Sequence, residues 1–287
     1  MKIGIFGGSG LYEMEGIRDL QEHRVATPFG DPSDLFISGT LHGRGVVFLP
    51  RHGRGHRILP TDIPYRANVW AMKKLGVTHL MSVSAVGSLQ ESIEPGHLVF
   101  PDQFIDRTFH RESTFFGHGI VGHVQFGFPV CQHMIDVLAE TAGKLGIHSH
   151  VGGTYVCVEG PAFSTRAESL MYRTWGGAVI GMTNLQEAKL AREAELCFCT
   201  IALATDYDCW HEEQAEVSVE AVLKVMQDNV ANSKRLLAGA VAALPERREC
   251  AARDALRYAI LTPADKIPEA ARRNLEPIIG RYLGAKS

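Results

Sequence analysis

Hydrophobic and polar positions along this chain follow two periods. Short runs rich in β-branched and aromatic residues read as strands at residues 3–6, 45–49, 79–84, 96–100, 153–158 and 195–205. Between them, apolar residues recur at helical spacing. A helix over residues 64–75 is expected to stop at Gly76 and one over 129–145 at Gly146, because glycine is favoured just past a helix end. Residues 164–175 and 184–195 give two more helices. Residues 217–244 give a long amphipathic helix, with Ser218 placed to cap it. Strands alternating with helices imply an α/β fold, a single domain with a central mixed, twisted β-sheet flanked by helices. The His-, Phe- and Gly-rich segment 108–128 reads as a long functional loop. Residues 1–245 then form the main domain, and the charged stretch 246–287 is a helical extension of it.

Composition narrows the classes. The 287 residues are 45% hydrophobic and 21% charged, enough for one large domain with a full core. The net charge is −3 and no basic face is concentrated, so nucleic acid is not an expected partner and any anionic substrate must be held locally. No stretch approaches the roughly 20 apolar residues of a membrane span. The N-terminal apolar run breaks at Gly7-Gly8 and reads as a first strand rather than a leader, so a cytoplasmic protein is expected. The six cysteines lack the paired spacing of a zinc site, so no metal is expected; Cys197 and Cys199 share one strand face as buried thiols.

Five segments carry candidate chemistry. Gly7-Gly8-Ser9-Gly10-Leu11 follows the first strand and suits a turn that brings backbone N–H groups and a hydroxyl to an anion, although an ordinary tight turn explains it equally. It lacks the third glycine of a dinucleotide fingerprint, which argues against a dehydrogenase. Arg51-His52-Gly53-Arg54-Gly55-His56-Arg57 stands at the end of the next strand, where Arg51 offers a planar fork and His52 a further donor to phosphate oxygens. Ser82-Val83-Ser84-Ala85-Val86-Gly87-Ser88 runs a strand into small residues that leave the backbone accessible. Gly181-Met182-Thr183 has little weight alone. Thr205-Asp206-Tyr207-Asp208-Cys209-Trp210 ends the most apolar run with two acids, which are costly to bury unless they serve a ligand. Extended backbone would point them the same way, whereas a loop would let them converge from different sides.

In this order the segments resemble the methylthioadenosine phosphorylase branch of the trimeric purine nucleoside phosphorylases, from residue 2 to about residue 244. The most specific stretches are Thr27-Pro28-Phe29-Gly30-Asp31-Pro32-Ser33-Asp34, Phe104-Ile105-Asp106-Arg107-Thr108, Glu159-Gly160-Pro161-Ala162-Phe163-Ser164-Thr165-Arg166-Ala167-Glu168-Ser169 and the Asp206–Asp208 segment. The resemblance implies phosphate held by Ser9, Arg51, His52, Ser84, Ala85 and Thr183; the family usually carries threonine where Ser9 and Ser84 stand, and both keep the hydroxyl. It implies Met182 along the ribose, Phe163 and Ser164 flanking the base, Asp206 and Asp208 reading its edge, and His56 lining the pocket. His123 would be lent by a neighbouring subunit of a homotrimer or a dimer of trimers. No cofactor is implied, inorganic phosphate being a co-substrate.

Chemically, the departing adenine collects charge that a protonated Asp206 relieves at N7, while Asp208 accepts from the 6-amino group. Val219, Val222 and Leu223 share one helix face and, by resemblance, would cover the methylthio end, although plain core packing produces the same spacing. The expected reaction is phosphorolysis of 5′-methylthioadenosine. A phosphorylase for 6-oxopurine nucleosides or methylthioinosine is the nearest alternative, and a non-catalytic nucleotide-binding protein the next.

Overall fold

The structure, a computed structural model, describes residues 1–8, 11–211, 219–246 and 250–283, with the backbone alone for residues 12, 219–224 and 226–227. Along the chain come β1 (Lys2–Gly7), β2 (Arg18–His23), β3 (Phe36–Leu41), β4 (Arg44–Pro50), α1 (Tyr65–Lys74), β5 (His79–Ser88), β6 (Leu98–Phe100) and β7 (Gln103–Arg107). They are followed by α2 (Gln132–Leu145), β8 (Ser149–Val151), β9 (Thr154–Val158), α3 (Arg166–Thr174), β10 (Gly177–Gly181), α4 (Asn184–Glu193) and β11 (Cys197–Asp206). The last helices are α5 (Val219–Ala243), α6 (Glu269–Asn274) and α7 (Glu276–Leu283).

All six expected strands form, with shifted ends, and the structure adds β2, β3, β7, β8 and β10. The reason β2 escapes the pattern is physical: Arg18-Asp19-Leu20-Gln21-Glu22-His23 is exposed almost throughout, so no apolar alternation marks it. Its partner β3 holds it in the sheet instead. Helix α2 stops where expected, with Gly146 left-handed at φ 66° and the Ile147 N–H donating to Ala142 O at 2.9 Å. Helix α3 starts two residues later than expected, because Thr165 caps it and Glu168 reaches back to the Thr165 N–H at 2.8 Å. Strand β11 begins at Cys197 rather than 195, since Glu195 is left-handed at φ 55°. Ser218 lies outside the described residues.

The strands make one mixed 11-stranded sheet whose main path runs β2-β3-β4-β1-β5-β10-β9-β7. Strand β5 sits at its branch point. One edge pairs in parallel with β1 at residues 79–82 and then antiparallel with β10 at Gly87 and Ser88; the other pairs in parallel with β11 from end to end. Between those two partners, residues 83–86 meet no strand on that edge, and the sheet opens. Such a switch between neighbours beyond strand carboxyl ends is where open α/β sheets take ligands.

Helices α1, α4, α6 and α7 cover one face, packing Val69, Leu190, Ile279 and their neighbours on Phe6, Leu49 and Leu80. Helices α2 and α5 cover the other, with Leu138 and Leu237 against Ile5, Val83 and Ile201. The described part of the C-terminal stretch packs onto the core. Its residues Leu256, Leu275 and Ile278 join the α1 face, and Trp70 Nε1 donates to Asn274 O at 2.9 Å.

Candidate active site

Four strand ends converge at the opening. The turn after β4 brings Arg51, whose N–H donates to Gly7 O at the end of β1 at 3.0 Å. Its guanidinium is buried. Nε and Nη2 donate to the Glu187 carboxylate on α4, Nη2 also to Ser82 Oγ, and Nη1 to Val83 O at 3.0 Å. Ser82 Oγ donates in turn to Glu187 Oε2 at 2.6 Å, and Asn184 Nδ2 to Ser82 Oγ at 3.0 Å. Four of the five guanidinium N–H groups are committed, so the fork expected for phosphate is spent on Glu187 and one Nη1 hydrogen is left for a ligand. Burial alone would lower the Arg51 pKa; the Glu187 carboxylate outweighs it and raises it.

His52 departs from expectation too. Its Nδ1 lies 2.8 Å from Ile58 O, and a carbonyl can only accept, so Nδ1 carries the proton. Burial, helped by the Arg51 charge, holds the ring at about 4, so it is neutral near pH 7 and Nε2 presents a lone pair rather than the expected donor. Exposed His56 stacks on it with ring centroids 4.2 Å apart.

Across the opening, Ser84 on β5 lies 3.4 Å, Oγ to Oγ1, from Thr183 at the start of α4. Thr183 makes no side-chain cap to its own helix, and its hydroxyl turns to Ser84 at the start of α4 instead. Half-buried Ala85 follows Ser84. Met182 is fixed through its carbonyl, which accepts from Arg111 Nη1.

The two acids lie further along β5. A register shift between Ala204 and Asp206 leaves Thr205 unpaired in the β5–β11 ladder and re-aims the chain, as bulges beside active sites commonly do. Asp206 Oδ1 then accepts from the Asp208 N–H at 2.8 Å, and Oδ2 from Thr205 Oγ1 at 2.7 Å. Asp208 is left-handed at φ 51°, so the two acids converge from a turn rather than side by side on a strand. They fold over Gly87, where a Cβ would lie 3.0 Å from Asp206 Oδ1 and 3.3 Å from Asp208 Cβ, so any side chain there would push the acids aside by a few tenths of an ångström. Burial raises both carboxyl pKa values; for Asp208 the Ser169 and Ser164 hydroxyls nearby pull the other way, while the Asp206 charge adds to the rise. Asp208 Oδ2 is buried without a hydrogen-bond partner.

Ser164 reaches this end, its carbonyl accepting from Cys209 Sγ at 3.2 Å, while Phe163 is 48% exposed. His123 is not brought to the opening within this chain. It is exposed on the 108–128 loop, its N–H bound to Ala259 O at 2.9 Å. Ser9 and the side chains of Val219, Val222 and Leu223 lie outside the described residues.

Two positioning residues gave no sequence signal of their own. Glu187 reads as one more polar residue of an amphipathic helix. Arg111 sits in a loop yet has a fully buried guanidinium, which bonds Glu159 Oε1 at 3.0 Å, Gln186 Oε1 at 3.1 Å and Tyr65 Oη at 3.3 Å. Burial would raise the Glu159 pKa, but hydrogen bonds from Thr61, Phe109, Arg111 and His110 hold it at about 2. An ionised Glu159 under Arg111 therefore pins the start of the loop to Met182.

An opening between strand ends, with hydroxyls and a helix N-terminus at one end and two raised acids at the other, offers donors suited to an anion beside acids suited to a hydrogen-bonding group. This chain belongs to the phosphorylase superfamily, whose family model matches residues 2–242. It is 57% identical to an S-methyl-5′-thioadenosine phosphorylase of Geobacter sulfurreducens, over 98% of this chain and 99% of that one. It is 56% identical to that of Koribacter versatilis, over 99% and 97%. Among solved structures, a methylthioadenosine phosphorylase from an antarctic soil metagenomic library superposes with a TM-score of 0.93 at 45% identity, covering 96% of this chain and 98% of that one. A point mutant of the adenosine/methylthioadenosine phosphorylase of Schistosoma mansoni in complex with methylthioadenosine superposes at 0.76 and 38% identity, covering 84% and 91%.

Proposed function

We propose that this chain cleaves the N-glycosidic bond of 5′-methylthioadenosine with inorganic phosphate, giving adenine and 5-methylthioribose 1-phosphate. The observation that carries the reading is the Asp206–Asp208 turn, two acids folded over Gly87 with Asp208 Oδ2 buried and unpartnered. A buried acceptor without a donor costs about 1–3 kcal/mol, which a donor on the ligand relieves. The 6-amino group of adenine is such a donor, whereas a 6-oxo group would face it with a second acceptor. Relatives at 56–57% identity carry the methylthioadenosine phosphorylase name, and that sets the sulfur end.

In this reading phosphate lies between the Ser84 hydroxyl, the Ala85 amide, the Thr183 hydroxyl and the α4 N-terminus, with the remaining Arg51 N–H and the Ser9 turn beside it. Neutral His52 contributes an acceptor for a phosphate O–H. A protonated Asp206, the form that burial favours, passes its proton toward N7 as the C–N bond breaks. The Thr205 hydroxyl has a second acceptor in Val86 O at 3.2 Å, so it can turn from Asp206 Oδ2 when that oxygen is protonated. Phosphate then attacks the positive sugar carbon. Positioning and charge complementarity supply the rate, and no covalent enzyme intermediate is formed.

The working unit in this proposal is a cytoplasmic homotrimer in which His123 reaches the neighbour's site. Phe109 and Phe128, 68% and 84% exposed on the same loop, support a partner surface there. No described helix is long and apolar enough to cross a membrane.

The test is a panel of methylthioadenosine, adenosine, methylthioinosine and inosine, each with and without phosphate and scored for free base. Phosphate-dependent adenine release, with adenosine slower and inosine inert, is expected. Preference for a 6-oxopurine, or tight binding without turnover, would overturn the reading. Light scattering at three times the 31.5 kDa chain mass tests the trimer.

A further inference from the structure

At the opposite end of β11 from the acids, about 30 Å away along nine residues of strand, three cysteines from distant parts of the chain meet. Cys197 opens β11, Cys131 stands at the N-cap of α2, and Cys250 precedes the turn at 251–254. Their sulfurs all lie within 4.8 Å of one another. A backbone bond from the Cys131 N–H to Phe198 O at 2.8 Å ties the helix start to the strand. Cys131 and Cys197 are buried, and Cys250 is half-buried and gives the site its edge.

We propose that Cys131, Cys197 and Cys250 form a trithiolate site for one soft, monovalent metal ion of the cuprous class. Bonds near 2.3 Å, the zinc–thiolate value, to three coplanar sulfurs require a sulfur spacing of about 4 Å, within the span observed. Thiolates select soft ions, and the donor count chooses among them. Structural zinc takes four ligands, and among the described residues the group has three members with no histidine or carboxylate added. Cys131 and Cys197 belong to the apolar cluster of the α2–α5 face with Ile135, Ala142 and Leu244, and Cys250 packs at its margin, so two of the three sulfurs sit among groups that offer no competing ligand.

Binding balances as loss of three thiol protons to the medium and formation of three metal–sulfur bonds, which leaves a complex of net charge −2. The buried guanidinium of Arg192 lies within electrostatic reach of all three sulfurs and offsets one of those charges.

The experiment titrates the reduced full-length protein, without oxygen, with Cu(I) buffered by excess bicinchoninate, and reads stoichiometry, competition and X-ray absorption. One equivalent bound, in a three-coordinate shell of sulfur alone, is expected. Cys131→Ala and Cys250→Ala should each weaken it by more than the ~10–100-fold that loss of an outer partner costs a metal site. Cys157→Ala should leave it unchanged. The half-buried position of Cys250 makes that variant the one expected to stay folded, and circular dichroism checks it. Copper left with the competitor, or retained by Cys250→Ala, overturns the proposal. So does preference for Zn(II) with a nitrogen or oxygen in the shell, or a disulfide formed in place of metal binding.

Discussion

At one end of the opening, Arg51 and Glu187 bury opposite charges against each other; at the other, Asp206 and Asp208 bury two acids within one turn. The first pair is closed. Ser82, Val83 and Asn184 complete its hydrogen bonds, and little of it is left for a ligand. The second is open, with burial raising both acids, the Asp206 charge raising Asp208 further, and Asp208 Oδ2 buried without a hydrogen bond of normal geometry. A satisfied ion pair makes a fixed frame, because moving either partner exposes an uncompensated charge. An unsatisfied pair makes a reader, because only the right ligand relieves it. On the proposed function, phosphate meets the frame and adenine meets the reader.

Four changes break or sharpen that contrast. Asp206→Asn removes the proton donor and should lower kcat for phosphate-dependent adenine release by ~10²–10⁴-fold, the usual worth of general acid catalysis. Near-normal turnover would take Asp206 out of that role. Glu187→Gln strips the counter-charge from buried Arg51, and breaking such a pair costs about 3–5 kcal/mol. A fall in Tm of roughly 10 °C, with a raised KM for phosphate, is expected; an unchanged Tm would mean the pair is no frame.

Gly87→Ala places a methyl 3.0 Å from Asp206 Oδ1 and 3.1 Å from Ile180 Cγ2. Overpacking of about 1–3 kcal/mol should appear mainly as lost kcat/KM for the nucleoside, with the KM for phosphate unmoved. The smallest effect is a pH dependence. His52 sits at about 4 in the folded chain against 6.5 unfolded, so its contribution is full above pH 6.5 and is lost as pH falls toward 4, where the unfolded chain takes the proton first. In urea denaturation, the stability advantage of wild type over His52→Asn should shrink by about 1 kcal/mol between pH 7 and pH 5.5. A constant difference would mean the ring is not held neutral.

The legible part of the site follows from where chemistry stands in a strand pattern. Arg51, Ser84, Thr183 and Asp206 all follow apolar runs, and strand ends in such a sheet point at one opening. Glu187 and Arg111 were not legible, because a buried charge leaves no mark in sequence until its partner is placed beside it. His52 was legible in position and wrong in sense, since the proton on Nδ1 is set by Ile58 O after the turn folds back. The cysteine trio was hidden for a related reason: no short spacing joins Cys131, Cys197 and Cys250.

By itself, then, the order of apolar runs, glycine stops and polar strand ends determined an α/β sheet and the chain segments that bear its chemistry, because period and capping act over a few residues. Tertiary structure alone decided the branch at β5, the bulge at Thr205 that aims Asp206, and the pairing that commits Arg51. Each depends on groups far apart in the chain, and burial fixes their charge and hydrogen bonding only once the sheet has brought them together.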